Sequence, residues 1–409
     1  MKILVVAPYF YSSCDSRFQK NNSGLGVVIG ALCEELGKEY DVSILINRFT
    51  KKVKHGSFVV EKHSFWQFIS CIKLKYMFEA IKIFFKNKDS FVNRLHVLFQ
   101  CLNQGYIEKQ IKKNRPSLVH IHSVCINSSL TSFYCEKKNI PFILTLHGII
   151  SNDSVEASKY FKDEEGRICK YVSKSKNGLI TCVSSGTSSR LVDKYHLEPS
   201  KVITTVNGIE DDILKIIDTK PTDICNLNNK FTIICSGNIS KNKNQFQLLE
   251  SLKMLPYNYL EKIIVLLVGE NLDSRINEFC YNNKNIDVKV VGFVNRKELF
   301  SYYKNSNLNV LLSHSEGFGM SVIEGYLCGV PSLFFSDIDA ASDLYNEDCS
   351  ISLEDRSNST VAIALMKAMD KKWNKEKIIN FGKKFLLSNT ILNYKKAIIN
   401  CVKKSGGEV

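Results

Sequence analysis

The sequence predicts an α/β chain of two Rossmann-like, doubly wound domains facing a central cleft. Short apolar runs alternate with helical patterns along the 409 residues, which argues parallel strands joined by crossover helices. The runs fall into two series, more strands than one sheet usually carries. Between the series Asp211–Lys230 is polar, turn-rich and without strand pattern. The economical division is therefore 1–206 and 207–385, joined near Asn207–Lys230.

Lys2–Ala7 reads as the first buried strand, because its apolar run is too short for a signal peptide and no small-residue cleavage site follows. The loop Asn21-Asn22-Ser23-Gly24-Leu25-Gly26 then opens a helix over Val27–Leu36. Further strands are expected at Val42–Ile46, Leu118–Ile121, Phe142–Leu146, Leu179–Val183 and Val202–Val206. The second series runs Phe231–Cys235, Ile263–Val268, Val288–Val291, Leu308–Leu312 and Ser332–Phe335. After Leu312 the pattern gives a loop, Ser313–Gly319, and a helix, Met320–Cys328, stopped by Gly329 and Pro331. Asn358–Lys404 is helical throughout in pattern.

Composition is that of a globular protein, 44% apolar and 23% charged, and every long apolar stretch is interrupted by lysine before it could cross a bilayer. Fourteen cysteines are scattered without Cys-x-x-Cys pairs, which argues against a zinc site and a disulfide framework and implies reduced thiols in the cytoplasm. The net charge of +14 is uneven: residues 51–113 hold thirteen Lys or Arg against four Asp or Glu. Within the basic segment 61–105, Phe65, Ile69, Ile72, Tyr76, Ala80 and Ile83 fall at helical spacing, with Lys75, Glu79, Lys82 and Lys86 on another stripe. Phe91, Leu95, Leu98 and Leu102 continue the pattern. Such a helix, bearing Trp66, either lies on an anionic membrane or packs its stripe on the core. No zinc-finger, RNA-binding or basic-helix pattern supports a nucleic-acid partner.

Candidate functional residues collect where strands end, the place where open α/β sheets bind ligands. In Glu316-Gly317-Phe318-Gly319-Met320-Ser321-Val322-Ile323-Glu324, two carboxylates flank a glycine turn that opens a helix. Free N–H groups at Gly319, Met320 and Ser321 favour phosphate oxygens. Carboxylates only accept hydrogen bonds, so Glu316 and Glu324 suit sugar and ribose hydroxyls. The same residues also read simply as a turn with solvated acids. His147-Gly148, Ser236-Gly237-Asn238 and Lys243 lie at other strand ends. His120 and His122 close the strand preceding that of His147, where they either line the same cleft or, the reading favoured here, are structural. Asp337-Ile338-Asp339 reads as a loop, since no further carboxylates complete a metal cage.

Taken together these segments resemble the retaining GT-B glycosyltransferases of the group-1, family-four type, along nearly the whole chain. Glu316…Glu324 is the most specific match, and Ser23–Gly26, Thr145–Gly148, Val206–Ile209 and Gly292–Val294 follow in the family's order. The resemblance implies a nucleotide-sugar donor, a glycan or lipid-linked acceptor, no metal or other cofactor, and a C-terminal helix, 386–409, crossing back to the first domain. It assigns catalytic roles to Glu316, His147 and Lys243, the lysine holding the donor's diphosphate. Gly24, Gly26, Gly237, Asn238, Gly317, Phe318, Gly319, Met320, Ser321 and Glu324 are the implied binding residues. Asn238 stands where the family usually has arginine, which leaves Lys241 or another residue to supply charge. That departure keeps open a non-catalytic nucleotide-sugar-binding subunit; an epimerase of the same fold is the enzymatic alternative. A dinucleotide oxidoreductase fits poorly, because Gly24-Leu25-Gly26 lacks the full fingerprint.

Overall fold

The structure is a computed structural model that describes residues 1–11, 17–18, 24–86, 90–150, 159–219 and 230–406. Asn21–Ser23 of the expected first loop and residues 220–229 of the expected linker lie outside the described residues. The chain divides into two compact units, Met1–Gly208 with Thr390–Val409, and Ile209–Asn389.

The first unit holds strands β1 (Lys2–Ala7), β2 (Asp41–Ile46), β3 (Val53–His55), β4 (Phe58–Val60), β5 (Leu118–His122), β6 (Phe142–Leu146), β7 (Gly178–Cys182) and β8 (Val202–Thr204). They form one sheet in the order β3-β4-β2-β1-β5-β6-β7-β8, parallel except between β3 and β4. Helices on the faces bury both sides of the middle strands, which is why β1, β5, β6 and β7 are near-continuous apolar runs. The strand order reverses beside β1, at its contact with β5. Four helices of this unit matter below: α1 (Gly24–Gly37), α2 (Phe65–Ser70), α3 (Leu74–Lys86) and α4 (Phe91–Asn114).

The expected helical stripe from Phe65 to Ile83 is broken between α2 and α3. Ser64 and Gln67 form a capping box that starts α2, and Cys71 ends it. At that end α4 packs so closely that a Cβ on Gly105 would sit 1.9 Å from the Cys71 carbonyl oxygen. Only a glycine fits there. Tyr76 is buried with its hydroxyl on Glu108, and Ala80 is buried and Ile83 partly so against Val97, Cys101 and Ile126, whereas Phe65 and Ile69 stay exposed.

The second unit holds β9 (Phe231–Ser236), β10 (Ile263–Val268), β11 (Val288–Gly292), β12 (Leu308–Leu311), β13 (Ser332–Phe335) and β14 (Ser350–Leu353), all parallel, in the order β11-β10-β9-β12-β13-β14. The order reverses between β9 and β12. Crevices for ligands open at such a reversal, outside the carboxyl ends of the strands.

The last helix, Leu387–Lys404, belongs from Thr390 onward to the first unit. It buries Tyr394, Ala397, Ile398, Cys401 and Val402 there, with Cys401 Sγ 3.3 Å from the Phe142 carbonyl oxygen. Lys395 pairs with Glu39 at 2.7 Å.

Candidate functional site

The two loops that leave β9 and β12 are tied together by Asn242. Its backbone oxygen accepts from His314 N at 2.8 Å, its side-chain oxygen accepts from Ser315 N at 3.1 Å, and its amide donates to the Ser315 carbonyl at 3.1 Å. With the loops held in register, Lys243 Nζ meets the Glu316 carboxylate in an ion pair, and Ser313 Oγ lies 3.3 Å from the same oxygen. Both side chains are largely covered, at 28% and 15% exposure, so bulk water screens the pair less than a surface contact. The loop after β9 bends at Gly237, which has φ +117. Gly269, at φ +152, crosses it so tightly that a Cβ would lie 2.1 Å from the Gly237 carbonyl oxygen.

After Glu316 the chain turns through Gly319, whose φ of +83 makes it the N-cap of the helix Met320–Leu327. First-turn N–H groups have no partner within a helix, so those of Met320 and Ser321 are directed outward at the positive end of the dipole. One turn on, the Glu324 carboxylate is pushed above its ordinary range by burial, against the opposing influence of Arg296, the Tyr303 hydroxyl and Lys243. Tyr303, on the neighbouring helix Arg296–Lys304, is fully buried. Its hydroxyl lies 2.6 Å from Ser236 Oγ, 2.9 Å from the Ser321 carbonyl oxygen and 3.3 Å from Glu324 Oε2. Since the phenol has one proton, Ser236 donates to it while it donates to Ser321 or Glu324. Tyr303→Phe strands Ser236 and frees Glu324; it should cost about 1–3 kcal/mol. Urea unfolding of the variant against the parent measures this, and an unchanged midpoint would show the network contributes nothing.

In the first unit, Gly24 and Gly26 lie inside the opening turn of α1, which starts three residues earlier than the sequence suggests. Both are residues of the helix itself rather than of a turn before it. Tyr11 N donates to the Gly26 carbonyl at 2.9 Å and fixes the entry of this helix. His147 follows β6, with Gly148 at φ +148 behind it. Its Nε2 lies 2.9 Å from Nδ1 of buried His122, and His120 Nε2 lies 2.7 Å from Thr145 Oγ1. Burial pushes His147 down to about 4 and, together with the His147 charge, His120 down to about 3; His122 is also held well below the ordinary range. All three imidazoles are neutral at pH 7.

Other expectations met a different environment. Phe318 is buried with its ring 6.0 Å from Phe385, so only its backbone can face a ligand. Asn238 is exposed, and its carbonyl accepts from Gln245 Nε2 at 3.2 Å. Asp337 accepts two hydrogen bonds from Arg356, at 2.7 and 2.6 Å. Among the described residues no group of three His, Cys, Asp or Glu could hold a metal ion. A cavity of about 520 Å³ lies away from all of these, between α3 and the helix Lys159–Lys174. Lys82, Lys86, Lys159 and Arg167 line it, but so do Glu79, Asp163 and Glu164. Sequence reasoning missed Asn242 and Tyr303. An asparagine between lysines reads as a loop residue, and a tyrosine at helical spacing reads as core.

Two parallel α/β units, each with its candidate residues at strand ends, define a two-domain Rossmann-like protein of the GT-B kind. Residues 22–213 match the family described as Glycosyltransferase Family 4, and residues 220–385 that described as Glycosyl transferases group 1. The chain belongs to the group-1 glycosyltransferases. It is similar to an uncharacterized glycosyltransferase of Methanocaldococcus jannaschii, 25% identical over 218 residues, 52% of this chain and 54% of the relative. It is likewise similar to the capsular polysaccharide biosynthesis glycosyltransferase CapM of Staphylococcus aureus, 25% identical over 214 residues, 51% of each. The chain spans about half the length of these curated relatives. In fold it resembles sucrose-phosphate synthase from Thermosynechococcus elongatus, with TM-score 0.71, 14% identity and 98% of each chain covered. It also resembles HepE of Anabaena in complex with UDP, with TM-score 0.67, 13% identity, and 98% of this chain and 100% of that one covered.

Proposed function

We propose that the protein moves a sugar from a nucleotide-diphosphate sugar to a lipid-linked or polysaccharide acceptor, with retention of configuration, in cell-surface polysaccharide synthesis. The observation that carries this reading is the Lys243–Glu316 pair beside the N-terminus of Met320–Leu327. When the bond between the sugar and the diphosphate breaks, negative charge gathers on the leaving oxygen. Lys243 and the N–H groups of Met320 and Ser321 stabilise that charge more than the ground state, which is what accelerates the step. Glu316 positions the sugar, and Glu324 accepts from the ribose. The departing phosphate takes the acceptor hydroxyl's proton as the new bond forms on the same face. In the first unit, neutral His147 is assigned to hydrogen bonding with the transferred sugar, and Gly24 and Gly26 to close backbone approach.

We place the reaction in the cytoplasm, at the inner face of a membrane. Among the described residues no helix is long and apolar enough to cross a bilayer. Turnover is proposed to need no metal, since Asp337 is committed to Arg356. Added EDTA should leave the rate unchanged, and a loss restored by Mg²⁺ or Mn²⁺ would overturn that.

The reading is tested by a thermal-shift screen with UDP-, GDP-, ADP- and CDP-sugars, because a ligand that binds the native state alone raises its stability. Transfer from the stabilising donor to a glycan or lipid-linked acceptor is then measured. One observation favours a second reading. Exposed Asn238 brings no charge to the diphosphate, as a non-catalytic sugar-nucleotide-binding subunit would tolerate. Titration showing donor binding without transfer or hydrolysis would decide for it.

A further inference from the structure

Helix α3 carries apolar residues on two opposite sides. Tyr76, Ala80 and Ile83 face inward. Leu74, Phe78, Ile81 and Phe85 are exposed by 70%, 71%, 48% and 77%. At roughly 100° per residue these four fall within about 60° of arc, on the side away from the core. Lys75, Lys82 and Lys86 run along one edge of this stripe. The stripe continues onto α4. Arg94 donates to the Phe84 carbonyl at 2.8 Å and covers the Phe84 ring at 4.1 Å, fastening the two helices together. This sets Phe91 6.1 Å from Phe84, and Phe91, Val92 and Leu95 are exposed in turn.

Scattered exposed apolar residues need no explanation, but an aligned row of large ones does. A helix with an apolar stripe, a lysine edge and bulky aromatics has the chemistry of a segment lying in the plane of a charged lipid surface. The lysines choose the sign of that surface. In residues 51–113 basic side chains outnumber acidic ones by nine, thirteen against four. Lys75 is tied to Glu108, so Lys82 and Lys86, exposed at the rim of the cavity they share with Glu79, Asp163 and Glu164, are the members of the edge offered to phosphate groups.

We propose that the outer face of α3, with the start of α4, docks the protein on an anionic phospholipid bilayer. The surface stands on exposure and charge, and it deepens the function proposed above, resting on that reading in the one respect that docking would deliver a lipid-linked acceptor. The face, not the occupant, differs from the one the sequence stripe offered. That stripe is spent partly on the core, and the row offered to lipid is another.

Cosedimentation of the full chain with phosphatidylcholine vesicles, with and without phosphatidylglycerol, tests this. Binding is expected to the anionic vesicles only and to weaken with salt. Leu74→Ser/Phe78→Ser/Phe85→Ser should lower it at least tenfold. Lys82→Ala/Lys86→Ala should weaken it and flatten its salt dependence. Unfolding temperature checks that the variants are intact, and donor hydrolysis, read without vesicles, should be unchanged. Vesicle binding without any donor use would sink the proposed function and leave the docking surface standing. Parent protein that ignores anionic vesicles, or a serine variant that binds as well as the parent, would overturn the docking. So would a parent dimer that the serine variant dissolves in sedimentation velocity, because a second copy would then cover the stripe.

Discussion

Lys243→Ala is expected to lower kcat for donor turnover by about 10²–10³, the range found when one oxyanion partner is removed. Two losses combine in it. The fixed cation disappears from the place where diphosphate charge develops, and Glu316, with 15% exposure, loses the partner that compensates its burial. The second loss also bears on folding, so the variant's unfolding midpoint must be measured with its kinetics. Lys243→Arg keeps the charge but brings a wider, planar head to the Glu316 carboxylate. It should recover part of the rate. Glu324→Ala should act differently, raising KM more than it lowers kcat, because a ribose contact is equal in ground and transition states. A Lys243→Ala enzyme with parental kcat/KM would remove the lysine from the mechanism.

Stability should fall as the pH drops from about 6.5 to 4, before most carboxylates titrate. His147 and His120 take a proton near 4 and 3 in the folded chain but near 6.5 when unfolded. Across that interval the unfolded chain binds more protons, so acid favours it. Each of the two contributes up to about 1.4 kcal/mol per pH unit. Buried His122 and His63 shift in the same direction, as does exposed His314, and add to the slope. Glu324, raised by burial, acts with the opposite sign. The cause is local: His120 Nδ1 and His122 Nε2 are buried without hydrogen-bond partners, so a cation there would be neither solvated nor paired. Thermal unfolding at pH 7, 6 and 5 should show the decline. Assigned imidazole NMR signals of His147 and His120 titrating near 6.5 would contradict it.

Alternating apolar runs placed eleven strands within a residue or two of their observed limits. Long buried strands show themselves because both faces are covered, as in Ile263–Val268. Val53–His55 and Phe58–Val60 escaped notice because three residues cannot express a period. Ser350–Leu353, half polar, looks like a loop until β13 pairs with it. The candidate site was legible where charge and glycine fall together, from Glu316 to Glu324. It was illegible where a contact joins distant segments: Tyr303 reaches Ser236 across 67 positions, and Asn242 reaches Ser315 across 73. On α3 the helical period was legible but the choice between its two apolar faces was not, since only the packing of α4 decides which one is covered.

The chain leaves its first unit after Gly208 and returns to it at Thr390. A nascent polypeptide therefore completes the later unit first, for Ile209–Asn389 is continuous while its predecessor waits for Tyr394, Ile398 and Cys401 to leave the ribosome. Until then the backbone around Phe142, where Cys401 will settle, is bare, and a ribosome pausing late would hold out an unfinished sheet to chaperones or to aggregation.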